Sequence, residues 1–275
     1  MTKFLLPLLL CIACRESATL DSKVPVGGLS LHIVCKGRGT PSVVLDSGLG
    51  NDARAWSRVQ PEVAEFTKVC AYDRAGLGSS SPPPRPHSNS QMADELHGLL
   101  RAAQVPQPYV LVGHSMGGTN VQLFAARHPS SIAGIVLVDS SPEPPPLDEF
   151  PPEELAKFES NIARMEGLDL KTFRAGFHEL RAANRSLGSK PLVVLVAGRA
   201  QPEPFLNATR ARAVFQARQQ AQHLLATLSK NSALITVHES SHHIPLESPE
   251  SVVKAISAVV DSSRTGSPLD AASIR

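Results

Sequence analysis

Residues 112–118, "VGHSMGG", set Ser115 between glycines directly after the apolar run Tyr109, Val110, Leu111 and Val112. Gly113 to Gly117 fits the pattern G-x-S-x-G, in which a serine is exposed on a sharp turn from strand to helix. Three fixed positions carry little information alone, so the surroundings decide. Upstream, residues 88–104, "SNSQMADELHGLLRAAQ", predict a helix that Ser88 or Ser90 caps and whose Met92, Leu96, Leu99, Leu100 and Ala103 share one face. Pro106 and Pro108 then lead into the strand before Ser115. Downstream, "MGGTNVQLFAARHP" reads as a helix entered through Gly117 and Gly118 and stopped near Pro129. Small neighbours permit a strained turn at Ser115, and the free N–H groups of a helix start can face an anion.

The rest of the chain repeats this alternation. Short β-branched runs at 30–36, 42–46, 68–73, 108–113, 133–139, 191–197 and 233–238 are separated by helical stretches, the pattern of an α/β protein on a mostly parallel sheet. No internal repeat is visible. The 275 residues, 42% hydrophobic, suit one large domain with a sizeable core. The 27 basic and 25 acidic residues leave a net charge of +2 with no Lys/Arg-rich block, which argues against a nucleic-acid partner. Residues 140–189 break the rhythm: a proline-rich stretch, "SPEPPPLDEFPPEEL", precedes two amphipathic helices at 152–165 and 170–184. Taken singly they are ordinary core-facing helices. Together, between two strands, they form a small helical cap over the sheet edge where open α/β sheets bind ligands. Helices at 207–229 and 248–262 complete the layers, and the Ser/Gly/Pro-rich tail 263–275 reads as loose.

At the N-terminus, Lys3 precedes an apolar run from Phe4 to Ala13, too short to span a bilayer and of the length of a signal-peptide core. Residues 1–20 are accordingly expected to be an export signal. Cys14 after Ala13 fits lipoprotein processing only weakly, because Cys11 stands where that signal usually has leucine. Cys35 and Cys70 remain, an even pair read as a disulfide in an exported chain or as two buried thiols in a cytoplasmic one.

A serine hydroxyl is a weak nucleophile that needs a histidine base, itself oriented by a carboxylate. Near the C-terminus, "ITVHESSHHIPLESPESVVKAI" is a strand, a loop with two histidines, and a helix opened at Ser248-Pro249. With that loop in view the chain resembles the α/β-hydrolase superfamily, close to its bacterial serine hydrolases of esterase type. The resemblance runs from about Val24 to Val260 through "LHIVCKGRGTPSVVLDSGLG", "VCAYDRAGLGSS", "PYVLVGHSMGG", "GIVLVDSSPE" and "SSHHIPLESPE", in the expected order. It implies an α/β-hydrolase domain over 24–262 with the cap insertion at 140–189.

The resemblance also implies roles. Relatives commonly read G-H-x-I-P where this chain has Ser241-His242-His243-Ile244-Pro245, which puts the base on His242 and leaves His243 as a wall or packing residue; Ser241 replaces the usual glycine. For the acid, many relatives use a position after the strand at 191–197, where this chain offers only Glu203; Asp139, at the end of the strand after the nucleophile's own, is the better choice, its alternative being a turn-capping aspartate. Oxyanion donors are implied at the N–H groups of Met116 and of Leu49, in the loop "DSGLG". Asp46 and Ser47 there depart from the broader pattern, since many relatives carry His-Gly where this chain has Ser47-Gly48. Trp56 is a candidate wall of the acyl pocket or an ordinary core residue. In the superfamily's strand order the strands of Cys35 and Cys70 are neighbours, so a bridge is geometrically open to them. The implied activity is hydrolysis of a small-molecule carboxylic ester through an acyl-enzyme, with no metal or organic cofactor. Haloperoxidase, perhydrolase or C–C hydrolase chemistry on the same residues is the alternative, and a binding protein that merely retains the fold is a third.

Overall fold

The computed structural model describes residues 19–83, 87–140, 147–200 and 207–274. Eight strands form one sheet: β1 Leu20–Val26, β2 Leu29–Lys36, β3 Ser42–Asp46, β4 Val69–Tyr72, β5 Tyr109–His114, β6 Ile132–Val138, β7 Leu192–Ala197 and β8 Ser232–Val237. Their order is β1-β2-β4-β3-β5-β6-β7-β8, with β1–β2 and β2–β4 antiparallel and every other pair parallel. Alternation along the central strands sends side chains into two cores. Val44, Leu111, Ile135, Leu137 and Val194 enter one, and Val43, Leu45, Val110, Val112, Val136 and Leu195 the other. Both faces are therefore buried, which is why these strands read as continuous apolar runs.

Helices α2 (Asn89–Ala102), α3 (Met116–Arg127) and α6 (Ala208–Ala226) cover the first face; α1 (Gln60–Ala64) and α8 (Pro249–Thr265), the latter preceded by the single turn α7 (Ile244–Glu247), cover the second. Between the two serine candidates for the α2 cap, the structure uses Ser88, in a reciprocal capping box with Gln91. The two helices expected between β6 and β7 are α4 (Pro152–Glu166) and α5 (Leu170–Ala182), whose Phe158, Ile162, Phe173 and Phe177 form a third apolar cluster over the sheet edge.

Two local features differ from the sequence reading, and one reading lies beyond the described residues. Strand β1 begins at Leu20, ahead of Val24, and pairs with β2 across the turn Gly27-Gly28; its alternating burial leaves one face in solvent, so it carries no apolar run. Residues 1–18, which hold most of the expected signal segment, lie outside the described residues. The tail is docked rather than loose: α8 runs on to Thr265, Leu269 N–H donates to Asn231 Oδ1 at 2.9 Å, and Ile274 is only 2% exposed. Leu269 and Ile274 supply apolar area that the compositional reading of a Ser/Gly/Pro tail overlooked.

Cys35 and Cys70 face each other in the β2–β4 register, are fully buried and are joined as a disulfide. The bridge closes a sequence separation of 35 residues. Its removal by paired Cys35→Ala and Cys70→Ala substitution is expected to cost about 3–4 kcal/mol on a chain-entropy basis, read from urea unfolding against the wild type.

His32 on β2 bridges Asp21 on β1 and Asp73 after β4, with Nε2 to Asp21 Oδ1 and Nδ1 to Asp73 Oδ2 both at 2.8 Å. Burial pulls this imidazole down, but the bonds and charges of the two carboxylates outweigh it and leave it above 6.5. A raised folded-state value means a stability contribution fully present below pH 6.5 and lost as pH rises through the raised value. His32→Gln should flatten that stretch of a plot of unfolding free energy against pH; an unchanged slope would remove His32 as its cause.

Candidate active site

The turn at Ser115 is built by close backbone approaches. A Cβ at Gly113 would stand 2.6 Å from Gly117 O and from Gly118 N, and a Cβ at Gly117 would strike Asp46 O at the end of β3. Only glycine lets the head of α3 come down onto β5 and β3 together. Ser115 itself has φ +52° and ψ −119°. Its N–H donates to Val138 O at 3.0 Å, and its carbonyl accepts from Ser140 Oγ at 3.1 Å and Gly118 N–H at 3.0 Å. The side chain stands half-buried at the C-terminal edge of the sheet, and among the described residues its hydroxyl has no hydrogen-bond partner.

Asp139 follows β6 with φ +41°. Among the described residues only Gln104, Ser115 and Asp139 combine a side chain with positive φ, and two of these meet at one sheet edge. Asp139 Oδ1 accepts the Ala197 N–H at 3.0 Å, and Oδ2 accepts His242 Nδ1–H at 2.6 Å. That bond fixes the tautomer and leaves Nε2 as the basic nitrogen. His243 is exposed and is not paired with Asp139, and Glu203 lies outside the described residues.

The loop carrying His242 is held on several sides. Glu247 accepts from Ser241 N–H at 2.8 Å and from Ser241 Oγ at 2.7 Å, so the serine in place of the usual glycine is itself an anchor. Ser240 O accepts the N–H groups of Gly198 and Arg199, both at 3.0 Å. His114, the residue before Ser115, donates Nε2–H to His242 O at 2.8 Å. Burial, then the neighbouring His242, drives the His114 imidazole down to about 3, so it is neutral and can hold only one N–H.

Electrostatics set the two central groups in one direction. Burial lifts the Asp139 carboxyl, but the bond and charge of His242, the Arg218 guanidinium and the Ala197 N–H together leave it below its ordinary value. His242 is also lowered, first by burial and next by Arg218, against which Asp139 pulls upward. Arg218 on α6 stands 3.2 Å from His242 Nδ1 and 3.6 Å from Asp139 Oδ2, lining a cavity with Val214, Phe215 and Arg199. It shares the carboxylate that would otherwise make His242 more basic.

The loop 46–50 lies against Ser115: a Cβ at Gly48 would be 2.8 Å from His114 Nδ1 and 3.4 Å from Ser115 Cβ. Leu49 N–H has no partner among the described residues, and Met116 N–H opens α3, where no preceding turn supplies an acceptor. The side chains of Leu49 and Met116 pack with the cap's Phe150, Phe158, Phe173 and Phe177. Trp56 does not wall this region. It is fully buried on the other side of the sheet beside Val59, Val63 and the apolar face of α8, carried there by the short helix Ala53–Trp56 whose cap is Asp52.

Arg218, His114 and Glu247 did not emerge from the sequence: Arg218 and His114 meet partners 24 and 128 residues away, and Glu247 anchors Ser241 through a loop whose course no local signal fixes. A fourth residue that went unread did have a signal in Asp46, a carboxylate closing a buried apolar strand, which requires a cationic partner. That partner is Arg74, whose Nη1 donates to Asp46 Oδ1 at 2.5 Å.

A mostly parallel sheet with its strained serine at the central strand end, a carboxylate one strand over and a histidine after the last strand together define a nucleophile-elbow hydrolase fold. The sequence profile of the alpha/beta hydrolase fold matches residues 41–230, and the chain belongs to that family. It is similar to the protein YqjL of Bacillus subtilis (strain 168), 29% identical over 245 residues, 88% of this chain and 92% of that protein. It is also 29% identical over 192 residues to a 2-hydroxymuconate semialdehyde hydrolase of Pseudomonas sp. (strain CF600), covering 62% of this chain and 68% of that enzyme. A thermophilic esterase from Thermogutta terrifontis matches in fold with a TM-score of 0.58 at 22% identity, over 90% of this chain and 99% of that one. Among the described residues no helix is long and apolar enough to cross a membrane.

The lowered His242 is directly measurable. In histidine NMR titration of the wild type it should protonate below 6.5 while His114 stays neutral down to about 3. Arg218→Met removes the adjacent cation and should move the His242 titration upward; no movement would show that burial alone sets it.

Proposed function

We propose that the protein is a serine hydrolase of carboxylic esters, with Ser115 as nucleophile, His242 as base and Asp139 as its orienting acid. The observation that carries this reading is the 2.6 Å bond from His242 Nδ1 to Asp139 Oδ2, beside a serine held at φ +52°. His242 Nε2 takes the Ser115 proton as Oγ adds to the ester carbonyl. The oxyanion is received by the N–H groups of Leu49 and Met116. Collapse expels the alcohol, protonated by His242, and leaves an acyl-serine. Water, deprotonated by the same imidazole, then releases the acid and restores Ser115.

The lining contributed by Leu49, Met116 and the cap phenylalanines is apolar and favours a neutral acyl chain. Likeness to an enzyme named for 2-hydroxymuconate semialdehyde, which contains no ester, supports a second reading: hydrolysis of a C–C bond on the same residues. The protein is also read as exported, a reading that the buried Cys35–Cys70 disulfide supports because such bonds persist in oxidising compartments.

Purified protein should hydrolyse p-nitrophenyl esters, with an acyl-length profile that sizes the pocket. Ser115→Ala and His242→Ala should each lower kcat by more than about 1,000-fold, and Asp139→Asn by roughly 100- to 10,000-fold. Full activity in Ser115→Ala would refute the mechanism; a wild type inert on esters would leave the C–C reading in front.

A further inference from the structure

We propose that Glu166, the last residue of cap helix α4, is a positioning residue for the oxyanion loop 46–50, acting through the buried Arg74 and directly on Gly50. Its kinetic consequence rests on the serine-hydrolase reading above; its effect on the loop does not.

A single guanidinium organises this region. Arg74, 3% exposed, donates Nη1–H to Asp46 Oδ1 at 2.5 Å and to Ser47 O at 2.6 Å, and Nη2–H to Gly48 O at 2.7 Å. Nη2 also donates to Glu166 Oε1, and that same oxygen accepts the Gly50 N–H at 2.8 Å. Tyr72 O–H donates to the other oxygen of Asp46 at 2.7 Å. The geometry of a trans peptide turns these contacts into an aiming device. Gly48 C=O and Leu49 N–H belong to one planar unit and point in opposite directions, so a carbonyl drawn onto Arg74 turns the Leu49 N–H away from it. Gly50 N–H belongs to the next unit, and Glu166 holds it. Both peptides flanking Leu49 are thereby fixed, one by Arg74 and one by Glu166. The end of α4 rests on the same spot, since a Cβ at Gly50 would stand 2.9 Å from the Cβ of Met165. The cap and the oxyanion loop thus share one hydrogen-bonded joint.

The charge count makes Glu166 a removable part of this joint. Two buried carboxylates, Asp46 and Glu166, face one guanidinium, and Glu166 Oε2 has no partner among the described residues. Without Glu166, Arg74 keeps Asp46 as its counter-ion, so no uncompensated charge is created. Loss of Arg74 would instead leave two carboxylates buried together.

The test compares full-length wild type, Glu166→Leu and Glu166→Gln by hydrogen exchange of the segment 46–52, by kcat and KM on a p-nitrophenyl ester, and by thermal unfolding. Glu166→Leu should speed amide exchange in that segment by about tenfold or more. It should lower kcat by roughly 10- to 100-fold with KM within about threefold, as for a misplaced oxyanion donor. The midpoint should fall by less than about 5 °C. Glu166→Gln keeps an amide oxygen for Gly50 and Arg74 and should recover kcat to within about fivefold of wild type. The proposal is overturned if exchange over 46–52 is unchanged in Glu166→Leu, if exchange rises while kcat holds, or if kcat and KM worsen together with a large fall in midpoint, which marks a cap-stability role. A wild type without ester turnover would sink the proposed function alone; exchange over 46–52 would still decide whether Glu166 holds the loop.

Discussion

The site depends on a backbone conformation that Ser115 would not adopt by itself. A residue with a Cβ at φ +52° carries a cost of order 1–3 kcal/mol, which the surroundings must over-determine. They do so from three strands. Gly113 in β5 admits the start of α3, Gly117 admits the end of β3, and the Val138 carbonyl of β6 takes the Ser115 N–H. Each contact also positions something else. The approach of α3 to Asp46 brings the loop 46–50 over the serine, and β6 carries the chain directly into Asp139. Ser115, the loop 46–50 and Asp139 are brought together by one packing arrangement at the sheet's C-terminal edge, where parallel strands leave room for ligands.

Two arginines serve this edge in different ways, and their burial explains the difference. Arg218 is 22% exposed and contributes mainly a charge, which adds to burial in lowering His242. Arg74 is almost fully enclosed, and its planar fork reaches two carboxylates and two backbone carbonyls at once, a geometry that a lysine ammonium cannot match. One guanidinium acts on basicity and the other on backbone direction.

What could be read in the sequence was whatever is local or periodic. The central strands announce themselves because both faces are buried, the cap helices because each has one apolar stripe, and the turn at Ser115 because its glycines are contiguous with it. Asp139 and His242 could be named only through the family resemblance, while their contact across 103 residues appears only in the fold. Strand β1 went wholly unread as a strand because its alternation leaves polar residues such as Asp21 and Lys23 facing solvent. Trp56 was ambiguous for a related reason: a large aromatic after a loop fits a pocket or a core equally well until the short helix holding it is oriented. Glu166 was wholly illegible, a glutamate ending an amphipathic helix like any solvated one, until Arg74 is found 92 residues earlier in the chain.

The departures from the family pattern in "DSGLG" follow from the same joint. Where many relatives carry His-Gly, this chain has Ser47-Gly48, and the Ser47 hydroxyl is spent on the carbonyl of Asp52 at 2.8 Å, within its own loop. A side chain tied locally cannot brace the loop against the rest of the protein. The bracing falls instead to Asp46, which closes a buried strand where an apolar residue would pack more cheaply. A buried carboxylate is tolerated only with a cation against it, so Asp46 fixes Arg74 in place, and Arg74 then has hydrogens to spare for the carbonyls of Ser47 and Gly48. Asp46, one of the departures from the family pattern, is thus tied through Arg74 to the loop that follows it.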